Sequence, residues 1–199
     1  DLLLGVILRC PGLFFSGRSF LAYGFTPPLL CVRFKEYLKS MRFDFVHFYS
    51  IRSCPLWPLI SFFHIPCVVD LVDSMSLNFA KRVDNCRSVL KPLLRLEYFR
   101  LRSFESNLPN SSLCRSYLVV AESDLSCLSV ARASLDSNQS ASGRPDLQLC
   151  PIGVKPFDHV PNVDDISSDT PRIVFFGSLS YTPNIEALKW FIENVYPIV

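Results

Sequence analysis

The chain has 199 residues and a mass of 22.6 kDa, with 49% hydrophobic residues and a mean hydropathy of +0.27. These values exclude a disordered chain, because so apolar a sequence can bury enough surface to offset the entropy lost on ordering. The net charge of +2 and the pI near 8.2 argue against nucleic-acid binding, which requires a concentrated basic surface.

Apolar periodicity predicts alternating helices and strands, the pattern of a parallel sheet with crossover helices. Helical spacing predicts a helix over residues 29–41, followed by a strand at FVHFY. IPCVVDLVD is predicted as a second strand covered on both faces, because nearly all of its residues are apolar. A helix over 88–108, the strand YLVVA, a short helix through Leu125, Leu128 and Ala131, and the strand LQLC follow in chain order.

A domain boundary is predicted near residue 165, because DHVPNVDDISSDTP has the composition of a linker. RIVFF then begins a new strand, and an amphipathic helix follows with Pro183 in its first turn and Pro197 after its end. The predicted fold is α/β: a Rossmann-like parallel sheet with flanking helices over residues 1–165, and the first strand and helix of a second such domain over 166–199.

The most apolar stretch, residues 54–72, has the length of a membrane span, but three prolines, a histidine and an aspartate favour a protein core instead. The chain begins without a methionine or a basic segment, so it resembles neither a signal peptide nor an anchor, and we expect residues before it. The eight cysteines form no CxxC pair and have no histidine at ligand spacing. We therefore predict no metal site, and reduced structural thiols in a cytoplasmic protein.

Several polar residues are candidates for chemistry, each beside a structural alternative. Gly177 follows a predicted strand and precedes a helix, where a backbone can approach a phosphate or simply turn. Asp70 and Asp73 end a predicted strand, where open parallel sheets bind ligands. They can accept a sugar hydroxyl or act as a general base, while Asp73 can equally cap the next segment. His47, inside an apolar strand, is predicted to be a core histidine.

Basic residues cluster around the helix predicted over 88–108. They form either a solvated face or a patch that attracts anionic lipid or a phosphate-bearing acceptor. The cluster comprises Lys81, Arg82, Arg87, Lys91, Arg95, Arg100 and Arg102.

The order of these segments resembles that of bacterial glycosyltransferases built from two Rossmann-like domains (the GT-B type), in particular family-four sugar transferases of exopolysaccharide gene clusters. The resemblance runs through FDFVHFYS, VVDLVDSMSLNFAKR, YLVVAESDLSCL and CPIGVKPF, and it is strongest in VFFGSLSYTPNIEALKWF. It implies an N-terminal domain that holds a glycan or lipid-linked acceptor and a C-terminal domain that binds a nucleotide-sugar donor. The nucleotide-sugar is a substrate, so no cofactor is expected.

The resemblance also implies roles for particular residues, although it assigns no catalytic residue. Gly177 and Ser178 are expected on the donor diphosphate side, with the helix N-terminus near Asn184 adding its dipole. Four side chains are expected to face the acceptor: Asp70, Asp73, Ser76 and Glu122. The expected location is the cytoplasm, with peripheral contact at the inner face of the membrane left open.

The hinge departs from the family pattern. The usual Pro-Asn-Gly-Val-Asp is here Pro151-Ile152-Gly153-Val154-Lys155, which keeps the glycine for a sharp turn but loses the asparagine and reverses the last charge. The resemblance implies that only the first strand and helix of the donor domain are present, so the chain is expected to be a glycosyltransferase fragment without turnover of its own. The altered hinge motivates the alternative, a non-catalytic binding or interaction module that retains the acceptor-domain fold.

Overall fold

The computed structural model describes residues 12, 16–109, 111–133, 145–153 and 173–198. The chain divides into two compact units, a first unit within residues 1–153 and a second unit within 154–199. The division follows Gly153, the glycine of the predicted hinge, and lies upstream of the boundary predicted near residue 165.

The first unit alternates helices and strands. Its strands are β1 (Val46–Tyr49), β2 (Cys67–Val72), β3 (Cys114–Val119) and β4 (Asp146–Leu149). Within the described residues its helices are α1 (Phe20–Tyr23), α2 (Pro28–Ser40), α3 (Trp57–Phe62), α4 (Met75–Asn85), α5 (Lys91–Ser106) and α6 (Glu122–Ala133), with a 3-10 turn at Cys54–Leu56. The helices predicted over 29–41 and 88–108 are confirmed as α2 and α5.

The four strands form one parallel sheet in the order β1-β2-β3-β4, which confirms the predicted α/β class and Rossmann-like sheet. Side-by-side pairing places Phe48, Val69, Tyr117 and Leu147 in one row across the sheet. Strand order follows chain order, and right-handed crossovers therefore bring the connecting helices to the same face. The hydrophobic core lies between that face and the helices, which contribute Leu38, Ile60, Phe79, Leu101 and Leu128.

The opposite face of the sheet is more exposed than the sequence predicts. In β2, Cys67, Val69 and Leu71 are buried, whereas Val68, Asp70 and Val72 alternate with them and are only partly buried. The prediction that IPCVVDLVD is covered on both faces is therefore wrong for the residues that the structure describes. The physical reason is that the described helices of the first unit pack on one side of this sheet, and an apolar run carries no information on which side.

Helix α5 buries two carboxylates together with its apolar stripe. Glu97, Leu101 and Glu105 are four residues apart, so they lie on one side of the helix, and each is at most 1% exposed. Glu97 accepts hydrogen bonds from the Ser19 hydroxyl at 2.6 Å and from the backbone amides of Phe20 and Leu21 at 3.1 and 2.9 Å. A side chain from α5 therefore caps the start of α1, satisfying donors that a helix cannot pair internally.

Burial raises the pKa of Glu97 above its ordinary value of 4.5, against the hydrogen bonds from Leu21, Ser19 and Phe20 that favour the charged form. The neutral acid is therefore favoured by folding. Its stabilising contribution is complete below the unfolded pKa and is lost as the pH rises through the folded pKa. In urea melts across about pH 4 to 8, the free energy of unfolding of the wild type relative to Glu97→Gln should fall as the pH rises. A difference that stays constant or grows with pH would contradict this.

The cysteines of the described ranges are not paired in disulfides. The seven cysteines there are free thiols, and burial raises the pKa of Cys54 to about 12, which leaves that thiol protonated and unreactive. None of the helices in those ranges combines the length and hydrophobicity needed to cross a bilayer. The stretch 54–72 instead forms the 3-10 turn, α3 and β2.

The second unit contains helix α7 (Thr182–Asn194) and a 3-10 turn (Tyr196–Ile198). The helix confirms the predicted one, but the strand predicted at RIVFF is absent from residues 173–176, where Val174 is 86% and Phe176 100% exposed. A strand needs a neighbour to pair its backbone, and no strand lies within the described part of this unit. Its apolar run therefore stays solvent-exposed.

Candidate functional site

The carboxyl ends of β1 and β2 lie side by side and form the edge at which the sequence places two candidate carboxylates. The Ser50 amide, just after β1, donates to the Asp70 carbonyl at 2.7 Å, and the Val120 amide donates to the Val72 carbonyl at 2.9 Å. These bonds continue the pairing beyond the strands. We call this region the carboxyl edge; it is the usual ligand position of open parallel sheets.

Backbone strain is concentrated at this edge. Ser50 has φ +65° and Val72 has φ +69°, in the left-handed region that a β-branched residue rarely occupies. The Asp73 amide donates to the Leu71 carbonyl at 2.9 Å, a bond across two residues that makes Val72 the centre of a γ-turn of the strained, positive-φ kind. Strain of this type recurs at binding and catalytic sites, where surrounding contacts hold it in place.

Asp70 supports the turn and faces the exposed side of the sheet. Its Oδ1 accepts a hydrogen bond from the Val72 amide at 3.0 Å, and its Oδ2 lies 3.8 Å from Nε2 of His47. The side chains of His47 and Asp70 are 48% and 24% exposed. The prediction of a core histidine is therefore wrong, because His47 points to the sheet face on which none of the described helices packs.

Asp73 lies immediately beyond the turn and is partly buried. Its Oδ2 accepts a hydrogen bond from Nδ2 of Asn78 at 2.6 Å. Burial raises the pKa of Asp73, as does the neighbouring Asp124, while Asn78 and Arg52 act in the opposite direction. Asp73 does not cap the following helix. Ser74 caps α4 instead, because its hydroxyl accepts a hydrogen bond from the Leu77 amide at 3.2 Å. Asp73 is thus a carboxyl group suited to holding or exchanging a proton.

The start of α4 is occupied by the protein's own acids. Glu105 accepts hydrogen bonds from the Ser74 hydroxyl at 3.1 Å and from the Ser76 amide at 3.2 Å. Asp124 accepts from the Ser74 amide at 3.0 Å. Ser76, expected to face an acceptor, is 1% exposed and belongs to this buried network. The polar network therefore leaves Asp70 and Asp73, and not Ser76, accessible at the edge.

Glu122 and Asp124 follow β3 on the first turn of α6. Glu122 is exposed, at the same edge as Asp70 because parallel strands end together, whereas Asp124 is 6% exposed. Sequence reasoning missed Asp124, Glu97 and Glu105. Asp124 could have been found, because it lies in the first helical turn after a strand. Glu97 and Glu105 could not, because no neighbouring residue indicates that an acid caps a distant helix.

The candidate donor residues lie together at the start of α7 in the second unit. The Asn184 side-chain amide donates to the Ser178 carbonyl at 3.1 Å. A Cβ added to Gly177 would lie 2.8 Å from Nδ2 of Asn184 and 3.0 Å from Phe175, so this position is closed to a larger residue without rearrangement. Tyr181, the N-cap of α7, makes no side-chain capping bond. Gly177, Ser178 and Asn184 therefore lie beside one another at the start of α7, and their role at a donor site stays a prediction.

The glycine at the predicted hinge is Gly153. At Gly153 an added Cβ would meet nothing within 4 Å, and its φ lies outside the positive range that favours glycine. Its conformation therefore does not require glycine, and Lys155 lies outside the described residues. Within the described ranges, no group of three or more His, Cys, Asp or Glu residues converges as metal ligands.

Comparison with family models, curated proteins and solved structures gives no match to this chain. Each unit carries its own candidate residues. The first unit has two accessible carboxylates, Asp70 and Asp73, beside a strained turn. The second unit has a glycine loop before a helix.

Proposed function

We propose that the chain takes part in glycosyl transfer, in which a sugar passes from a nucleoside diphosphate donor to a glycan or lipid-linked acceptor during polysaccharide synthesis. In this proposal the carboxyl edge of the first unit holds the acceptor. The observation that carries it is the pair Asp70 and Asp73, which flank a strained turn at the end of a parallel strand.

The charges at this edge favour a neutral polyhydroxyl ligand over a phosphate. The N-terminus of α4, where a phosphate would otherwise bind, already holds Glu105 and Asp124. Carboxylates repel a phosphate and accept hydrogen bonds from hydroxyl groups. Asp70 and Asp73 would each accept from a sugar hydroxyl, and the raised pKa of Asp73 would ease proton exchange with that hydroxyl.

The second unit has the complementary property. The start of α7 lacks a side-chain cap, and no acidic residue lies in its first turn. The N-terminal amides and dipole of this helix would therefore favour the donor diphosphate, with Gly177 and Ser178 beside it. Stabilising the departing diphosphate and positioning the acceptor are the two contributions that such a transfer requires.

The acceptor site predicts a specific effect of two isosteric substitutions. Asp70→Asn and Asp73→Asn should each weaken binding of the glycan about tenfold, because each removes a charged acceptor worth ~1.5 kcal/mol. A glycan array selects the oligosaccharide, and isothermal titration calorimetry then measures its affinity for each variant.

Asp44→Asn is the matched control, since Asp44 is exposed and precedes β1 at the opposite edge of the sheet. The control should bind as the wild type does. Equal losses in all three variants, or no loss at Asp70 and Asp73, would refute the acceptor site.

A non-catalytic binding module is the second candidate. The exposure of residues 173–176 favours it, because an uncovered segment holds a diphosphate less rigidly than a sheet does. Incubating the 199-residue chain with labelled nucleotide-sugars and the selected glycan separates the two. Glycan binding without nucleotide-sugar binding supports the module, whereas binding of both ligands supports the transferase. Transfer of label would support the enzyme and exclude the module.

A further inference from the structure

A second surface of the first unit combines exposed basic and apolar side chains, in contrast to the acidic side chains of the carboxyl edge. We call it the basic face. Its basic members are Arg87, Lys91, Arg95 and Arg102, and its apolar members are Val89, Leu90, Leu96 and Phe99. All are exposed, with Val89 at 94% and Phe99 at 54%. An uncovered valine and phenylalanine within one cationic segment require an explanation beyond solubility.

Helix geometry separates the two kinds of side chain into parallel stripes along α5. At about 100° per residue, Lys91, Arg95 and Arg102 fall within about 40° of one another, and Phe99 and Leu96 occupy the adjoining arc. The opposite side of the helix carries the buried Glu97–Leu101–Glu105 stripe. The exposed side is therefore amphipathic in its own right, with a basic stripe beside an apolar one.

The charge of this face is uncompensated within the segment. Glu97 is the only acid between residues 87 and 102, and it is 0% exposed and bound to the start of α1. Arg100 points elsewhere, with its guanidinium carbon 4.9 Å from the centre of the Phe20 ring. The four basic members of the face thus present a positive surface that an anionic partner would complement.

Helix α2 is the useful contrast, because it is also exposed and also carries basic residues. Only Leu38 is buried among its residues. At about 100° per residue, its exposed apolar residues Leu29, Val32 and Tyr37 spread over about 140°, and the charged Arg33 and Glu36 fall within the same arc. An exposed acid, Glu36, interrupts its basic residues. The helix therefore has charge and apolar area without the stripes that a planar surface can engage.

We propose that the basic face docks the first unit onto an anionic membrane surface. Phe99, Val89 and their apolar neighbours enter the headgroup region, while the basic stripe contacts lipid phosphates, as in interfacial amphipathic helices. A membrane contacts both the basic stripe and the apolar stripe, whereas a nucleic acid would be bound by the basic residues alone. The apolar stripe therefore favours a membrane as the partner. The docking surface does not depend on the proposed glycosyl transfer.

Flotation of the 199-residue chain with lipid vesicles tests the proposal. The chain should float with vesicles of phosphatidylcholine plus phosphatidylglycerol and not with phosphatidylcholine alone. Arg95→Gln combined with Arg102→Gln should lower the partition coefficient about 25-fold, since each cation near an anionic surface is worth about fivefold. Phe99→Ser should lower it as well, by removing the apolar contact.

Lys35→Gln combined with Lys39→Gln on α2 is the matched control and should leave the partition coefficient within twofold of the wild type, where about twofold is the spread of such a neutral exchange. Circular dichroism of every variant checks that the fold is kept. Equal binding to uncharged vesicles, or equal loss in the α2 control, would overturn the proposal. Loss of binding in the charge variant with full retention in Phe99→Ser would also overturn it, because the apolar stripe would then take no part in the docking.

Discussion

Replacing Glu105 by alanine should lower the free energy of unfolding of the first unit by about 3 kcal/mol. Its carboxylate accepts from the Ser74 hydroxyl and the Ser76 amide at the start of α4, and all three groups are buried. Alanine would strand two buried donors and leave a cavity among them. Each stranded donor costs about 1 to 3 kcal/mol, which accounts for the size of the effect.

Urea denaturation followed by circular dichroism measures this loss. Glu36→Ala, on the exposed side of α2, is the control and should change the free energy of unfolding by no more than about 0.5 kcal/mol. Glu105→Gln should fall between the two, because one amide oxygen can still accept. If Glu105→Ala were as stable as the control, the carboxylate could not be the cap that the hydrogen bonds describe.

Replacing Tyr117 by alanine should cost about 4 kcal/mol, the largest effect of a single substitution that we expect in this chain. Tyr117 is fully buried in β3 between Val69 of β2 and Leu147 of β4. Its hydroxyl donates to the Pro109 carbonyl at 2.6 Å, which ties the segment after α5 to the sheet. The substitution removes both the ring packing and this tie.

Tyr117→Phe separates the two contributions. It keeps the ring and should lose only about 1 kcal/mol for the hydrogen bond. Thermal unfolding monitored by circular dichroism ranks the variants, with Tyr49→Ala as the control because Tyr49 is 65% exposed in β1. Similar costs for Tyr117→Phe and Tyr117→Ala would show that the hydroxyl, and not the ring, governs stability here.

Periodicity was a reliable guide wherever one local pattern determines an element. The helical spacing around Leu30 and Leu38 predicted α2, and the apolar run before Asp73 predicted β2. The same reasoning placed Asp70 and Asp73 at a strand end, because only the order of strand and helix was needed. The parallel sheet followed from that alternation.

Features set by long-range partners were beyond this reasoning. Nothing near Val72 indicates a positive φ, which glycine or asparagine would normally signal. The turn exists because Asp70 and the paired strands hold it. Likewise Glu97 reads as one more charged residue on a helix, and its burial depends on Ser19, which is 78 residues away in the chain.

The prediction of a strand at RIVFF was wrong for a related reason. Its β-branched and aromatic residues fit a strand by composition, and Phe175 and Phe176 are apolar enough for a core. Composition makes a segment suitable for a strand, but the backbone hydrogen bonds of a strand require a neighbouring strand. The described residues of the second unit contain no such neighbour, so residues 173–176 do not form a strand.

The bond between Ser19 and Glu97 also bears on the order of folding. It closes a loop of 78 residues that contains β1, β2 and most of their helices, and closing so long a loop carries a large entropic penalty before any contact offsets it. Helix α1 has only four residues and cannot persist alone in water. We therefore expect it to assemble after the sheet and α5 are in place, because the contacts that hold it come from those elements.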